Sequence, residues 1–334
     1  MADDMRMYDI ITMGSATVDI FARSESEMIK IFNSEGETDL LAFPTGSKLL
    51  INKLQYSIGG GGTNTACALS KLGLRVAYAG KIGKGYNAIR VIESLKKNKV
   101  DTHLVKRCND HTAISLILDN MEKDRVILAH KGVNNSLDIR DVKFSDLKTG
   151  WIFCTSMMGR SFETAKKVAR YARKKGMKFG LNPSSYMVKQ GEDFLRPLLK
   201  NVDVLTFNYK ESLMLTGESE LDKIFSKLHS FGISIAAITE GKKGVHASDG
   251  EYIYSAKAPK VKKVVDTTGA GDVFAASFVA GLIRKDDIGF AIRLGMANSG
   301  ALITEIGAQN GTLSWNKALR DAKQIKVKKV RFDG

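Results

Sequence analysis

The sequence predicts an α/β fold of three layers, with helices on both faces of a mainly parallel central sheet and a small β lid beside it. Two observations lead there. Apolar runs of strand length alternate with helical patterns through most of the 334 residues, and that alternation is what a parallel sheet with crossover helices requires. Two stretches, about 20–57 and 108–131, break the alternation and read as lid segments within a single domain spanning 1–334.

Taken in order, the first strand is Tyr8–Met13, an apolar run closed by Gly14-Ser15. Asp19 follows just past its carboxyl end, where open parallel sheets bind their ligands, although a turn Asp fits the same place. Residues 22–57 set Ser24-Glu25-Ser26-Glu27, Glu35-Gly36-Glu37 and Pro44-Thr45-Gly46 between short apolar pieces, and no regular helix–strand unit fits them. After Gly59-Gly60-Gly61-Gly62 a helix is expected over Thr63–Leu72, stopped by Gly73, then a strand Arg75–Ala79 and a helix Ile89–Asn98. Thr112–Asp119 and Arg125–Ala129 read as a hairpin. Strands are expected at Trp151–Cys154, Lys178–Leu181, Val202–Thr206 and Ile233–Ile238, with helices Ser161–Lys175 and Lys210–Leu215 among them. Last come a short strand at Val264-Val265, the segment Asp266–Asp272, and an apolar helix from Val273 to Leu282.

Composition narrows the function. With 43% hydrophobic and 26% charged residues the chain is a folded globular protein. No apolar run approaches the roughly 20 residues of a membrane span, and Asp3 and Asp4 stand where a secretory signal would be basic. A cytoplasmic location is expected. Cys67, Cys108 and Cys154 are widely spaced and form no C-x-x-C pair, so neither a disulfide framework nor a zinc site is indicated. His103, His111 and His130 lie in or near the lid without metal-ligand spacing. The net charge of +15 fits a lysine-rich surface that gathers an anionic substrate. Nucleic acid is not the expected partner, because no aromatic residues interleave with the basic groups as a stacking platform requires.

The chemistry concentrates in the late segment Asp266-Thr267-Thr268-Gly269-Ala270-Gly271-Asp272. Small residues at 269–271 let backbone amides approach an anion, and the helix behind adds its positive end. Asp272 beside that anion could take a proton from an attacking hydroxyl; as an isolated residue it also fits a helix cap. The chain has neither a G-x-x-x-x-G-K-[ST] P-loop nor a G-x-G-x-x-G dinucleotide turn between strand and helix. A phosphate site of another type is required.

These residues resemble the ribokinase-like, or PfkB-type, carbohydrate kinases. Gly59-Gly60-Gly61-Gly62-Thr63-Asn64-Thr65-Ala66 matches that family's early signature and Asp266–Asp272 its late one, and further matches in the same order extend over nearly the whole chain. The resemblance implies an ATP-dependent phosphotransferase acting on a hydroxymethyl group of a sugar or sugar-like acceptor. It makes Asp272 the base and the amides of Gly269, Ala270 and Gly271 the anion hole. Asp19, Gly60, Gly61 and Asn64 become acceptor-binding residues. Asn208 and Glu211 become a water-mediated Mg2+ and phosphate site, although Asn-x-x-Glu is equally the spacing of a helix capping box. Thr239, Gly241 and Gly244 become a nucleotide-binding turn, though an ordinary glycine-rich turn reads the same way. Asn298 would wall the adenine pocket, as would the segment Gly307-Ala308-Gln309, and Asp266, Thr268 and Gly307 would hold a monovalent cation such as K+. The resemblance departs at Thr17 and Gly61, where ribokinase itself has Asn and Lys, so a strict ribose site is not implied. A nucleoside kinase of the same family is the nearest alternative, with Phe21, Phe32, Phe43 and Tyr56 as candidate aromatics. A non-catalytic sugar- or nucleic-acid-binding protein stands further off, and pairing of two copies through their lids is a further expectation.

Overall fold

In the computed structural model, which describes residues 7–24, 28–33, 36–41, 45, 46, 48, 50–119 and 125–332, the first strand, β1 (Ile10–Met13), is buried along its whole length. A strand covered on both faces needs a continuous apolar run, and its one polar side chain, Thr12, is satisfied by the Gly62 carbonyl. β1 lies within a ten-stranded sheet. Parallel to it run β6 (Val76–Ile82), β7 (Val105–Arg107), β10 (Trp151–Thr155), β11 (Lys178–Asn182), β12 (Val204–Asn208) and β13 (Ile235–Thr239). Beyond β13 the direction alternates through the antiparallel strands β14 (Val245–Ser248), β15 (Tyr252–Ala256) and β16 (Lys328–Arg331). The edge strand β16 is exposed throughout and reads Lys-Lys-Val-Arg, a charged edge that discourages pairing with another chain.

Alternation along β1 divides the core. Ile10 joins a cluster with α1 (Gly61–Lys71), α2 (Tyr86–Lys97), α8 (Ala270–Lys285), α9 (Ile288–Leu302) and α10 (Trp315–Ala322). Ile11 and Met13 join the opposite cluster, with α3 (Gly159–Lys174), α4 (Ser185–Val188), α5 (Glu192–Leu199), α6 (Tyr209–Thr216) and α7 (Leu221–Ser230). Helix, sheet and helix thus form the three expected layers.

A second sheet stands apart. It is built from β2 (Thr17–Ser24), β5 (Ile51–Gly59), β8 (Ala113–Asp119) and β9 (Arg125–His130), in the order β5-β2-β8-β9, while β3 (Met28–Asn33) and β4 (Gly36–Leu41) pair with each other. The β8–β9 hairpin falls where the sequence places it. Two expectations are corrected. After β1 the chain passes into lid strand β2 within three residues, so Asp19 sits on that strand, opposite Ser57 and Ser115. Val264-Val265 is not a strand: the Val265 and Asp266 amides donate to the Ile303 carbonyl at the end of α9, which takes them out of any ladder. Among the described residues no helix is long and apolar enough to cross a membrane.

Candidate active site

The start of α8 is shaped by two glycines for different reasons. Gly269 is left-handed, φ 77°, and a Cβ there would lie 2.5 Å from Ala308 Cβ. Both backbone and packing demand glycine. At Gly271 a Cβ would meet nothing within 4 Å, so the fold leaves this position open. Gly269, Gly271 and Asp272 line a cavity of about 220 Å³ together with Asn182, Thr206, Asn208 and Thr239 from the ends of β11, β12 and β13 and Glu211 from the first turn of α6. Ala270 is absent from that wall, and its amide donates to the Thr267 carbonyl at 3.2 Å.

Asp272 accepts a 2.8 Å hydrogen bond from Asn64 Nδ2. Burial raises its pKa and the nearby Glu211 carboxylate adds to that, while the Asn64 bond opposes both. Asn64 is 4% exposed on α1, and Gly60 and Gly61 stand at the start of that helix, with the Gly61 amide held by Ser15 Oγ at 3.0 Å. Asp19 is 8% exposed. Its pKa is pushed up to about 6, mainly by burial and further by the Asp266 and Asp272 charges, against a hydrogen bond from Ser115. A Cβ on Gly59 would fall 2.0 Å from Asp19 Oδ2, so a bare backbone is what admits the carboxylate. The two signatures and the lid strand therefore bring three carboxylates, Asp19, Asp266 and Asp272, within electrostatic reach of one another.

Asn208 and Glu211 form a capping box at the start of α6: the Glu211 amide donates to Asn208 Oδ1 at 2.9 Å and the Asn208 amide to Glu211 Oε2 at 3.0 Å. Glu211 Oε1 accepts from Ser185 Oγ at 3.0 Å. The capping reading of this motif is realised, and the same two residues line the cavity. Beside them Thr206 Oγ1 is buried without a hydrogen-bond partner. An orphaned hydroxyl, two amide side chains and a carboxylate fit a hydrated Mg2+, which keeps most of its waters and takes few direct protein ligands. Among the described residues no group of three or more His, Cys, Asp or Glu is placed to hold a metal ion.

Asp266 organises the segment before α8. Its Oδ1 accepts from the Thr268 amide at 2.9 Å and hydroxyl at 2.6 Å, and its Oδ2 from the Gly307 amide at 2.9 Å. Asp266, Thr268 and Gly307 are thus brought together. Thr239 ends β13 on the cavity wall, and Gly241 and Gly244 bound a short turn where Lys243 enters a second, larger cavity of about 920 Å³. That cavity is walled by Ala256–Val261 and by Ala297, Gly300 and Ala301 of α9.

Asn298 does not line it. The side chain is fully buried, donating to Ser277 Oγ at 2.8 Å and accepting from the Leu313 amide at 2.7 Å, so it fixes α9 against α8 behind the wall. Gln309 lies elsewhere too, with its Nε2 on Asn64 Oδ1 at 3.0 Å. Of the four aromatic candidates, Phe21 shares the face of β2 that carries Asp19. Tyr56 pairs with Ile20 on the opposite face, under the Arg90 guanidinium at 4.4 Å from the ring centre. The side chain of Phe32 and the whole of Phe43 lie outside the described residues. Sequence reasoning missed Thr206, Ser185 and the Ala256–Val261 wall, which carry no motif; Gln309 carried one signal, its place two residues after Gly307.

The parallel sheet with a cavity at its strand ends and a helix start, beside a small β sheet, falls in a known class: comparison with known proteins shows a ribokinase-type fold and a phosphotransferase. The Arabidopsis thaliana ribokinase solved with ribose and ATP superposes with a TM-score of 0.82 over 95% of this chain and 99% of that one, at 22% identity. Adenosine kinase from Sinorhizobium meliloti matches with a TM-score of 0.79, covering 94% and 99% at 24% identity. In sequence, the ribokinase of Haemophilus influenzae is 29% identical over 276 residues, 79% of this chain and 87% of that protein. The pattern of the pfkB family carbohydrate kinases matches residues 26–316, and the chain belongs to that family.

Proposed function

We propose that the protein transfers the γ-phosphoryl group of ATP to a primary alcohol of a sugar or sugar-like acceptor, with Asp272 as general base. The observation that carries this is the junction at the start of α8, where the Asp272 carboxylate and the backbone of Gly269 and Gly271 face one cavity. An acceptor held between Asp19 on the lid and Asn64 on α1 presents its hydroxyl to Asp272. As oxygen attacks phosphorus, the proton passes to the Asp272 carboxylate, and the negative charge growing on the phosphoryl oxygens meets amides at the positive end of α8. The phosphates run past Thr239, and the nucleoside occupies the larger cavity beyond the 241–244 turn. When bound, Mg2+ neutralises phosphate charge; Glu211, Asn208 and Thr206 would hold it through water. Asp266, Thr268 and Gly307 are the matching positions for a monovalent cation such as K+. The chain acts as one domain, in the cytoplasm where ATP is supplied, and its lid excludes water from the transfer.

A nucleoside acceptor is the second reading, favoured by Phe21 on the Asp19 face of the lid, where it could cover a base. Purified protein with ATP and Mg2+, offered pentoses, hexoses, inositols, keto-deoxy acids and nucleosides while ADP release is followed, separates the two readings. Asp272→Asn keeps the fold and lowers kcat by about 10²–10⁴-fold. Wild-type turnover in that variant would remove Asp272 from the role.

A further inference from the structure

We infer that Gln309 is a positioning residue that sets which end of the Asn64 amide faces Asp272, and through it the proton affinity of the base. The inference rests on the reading of Asp272 as base. An Asn amide is nearly symmetric in shape and opposite in polarity, so its orientation is decided by its partners. Asn64 Nδ2 donates to Asp272 Oδ2 at 2.8 Å, and Asn64 Oδ1 accepts from Gln309 Nε2 at 3.0 Å. Gln309 is oriented in turn, because Ser94 Oγ donates to its Oε1 at 3.4 Å. Three donors therefore point the same way, from α2 through the turn after α9 and through α1 to the carboxylate on α8.

The anchor at the far end is firm. The Gln309 carbonyl accepts from Lys71 Nζ at 2.9 Å and from Thr312 Oγ1 at 2.7 Å, and Gln309 itself is only 8% exposed. In such a dry setting each bond polarises the next, and a reversed amide would set two oxygens against each other. The charged groups facing Asp272 are Glu211 from α6 and Asp19 from the lid. Asp266, ahead of α8, adds to the field at Asp19. All are carboxylates that favour a protonated Asp272, so the Asn64 amide is the influence holding it ready to accept a proton, and Gln309 keeps that amide turned the right way.

The test is the pH dependence of kcat at saturating acceptor and ATP in Gln309→Glu, Gln309→Met and Asp272→Asn. A carboxylate at 309 accepts where Gln donated, which turns the Asn64 oxygen toward Asp272. For Gln309→Glu we expect kcat near pH 7 to fall about tenfold or more, the acid limb to move up by about one pH unit, and activity to recover as pH rises, with the KM for ATP within about twofold of wild type. Gln309→Met, close in size and unable to hydrogen-bond as an amide, shifts the limb in the same direction by less, and it stands in if the Glu variant does not fold. An acid limb that stays in place, or a loss of kcat equal at every pH, overturns the inference and leaves Gln309 a packing residue. Turnover retained in Asp272→Asn overturns the reading of the base and this inference with it; an inactive Asp272→Asn with an unmoved limb in the Gln309 variants overturns the inference alone.

Discussion

Asp19 shows what the site costs the fold. A carboxyl whose pKa rises to about 6 binds its proton more tightly folded than unfolded. Stability therefore falls as pH rises from about 4 to about 6, and above that the penalty is constant, on the order of 3 kcal/mol. Asp19→Asn should be more stable than wild type in urea at pH 7.5 and should lose most of that advantage at pH 4.5, while its KM for the acceptor rises. Equal stability at both pH values would show that Asp19 is not held in this state. At this scale the sequence was legible wherever chemistry comes packaged in glycine: Gly59 beside Asp19 and Gly269 beside Asp272. Thr206 and Ser185 were not legible as site residues, nor was Gln309, expected on the adenine wall, legible as the partner of Asn64, because such pairs are distant along the chain and no local spacing records them.

At the level of elements, the start of α8 separates folding from function. Ala is a better helix former than Gly by about 0.5–1 kcal/mol, and a Cβ at 271 meets no protein atom within 4 Å. Gly271→Ala should therefore melt no lower than wild type, yet lose turnover about tenfold or more, because the new methyl group would crowd the anion hole proposed there. A fully active Gly271→Ala would place the anion hole elsewhere. Strands β10 to β13 and helices α1, α3 and α6 were readable from apolar runs and glycine stops. Helix α9 was not: it is buried on nearly every side, so its sequence shows no apolar stripe of helical period. The pair Val264-Val265 looks strand-like in isolation, but both residues are more than a third exposed and their segment is tied to the end of α9.

For the whole molecule, the lid leaves apolar side chains in solvent on both of its edge strands, Ile51 and Leu54 on β5 and Ile127 and Leu128 on β9. Exposed apolar side chains on these edges are where the expected pairing of two copies through their lids would take hold. Sedimentation velocity should give a dimer for the wild type and a monomer for Leu54→Glu combined with Leu128→Glu; a monomeric wild type would end that expectation. The overall α/β architecture was plain in the sequence, because strand and helix alternate, while the extent of the lid was not, since β2 begins at Thr17 within a run that continues the core. That continuity joins two tasks. Only Gly14, Ser15 and Ala16 separate buried β1 from the strand that carries Asp19, so the residue proposed to hold the acceptor and the cover over the transfer are one piece of chain. If Asp19 and Asn64 hold the acceptor as proposed, a water molecule offers the cover far fewer contacts to close on than a sugar does. On that proposal, fidelity against hydrolysis would be set by the size of the nucleophile rather than by its reactivity.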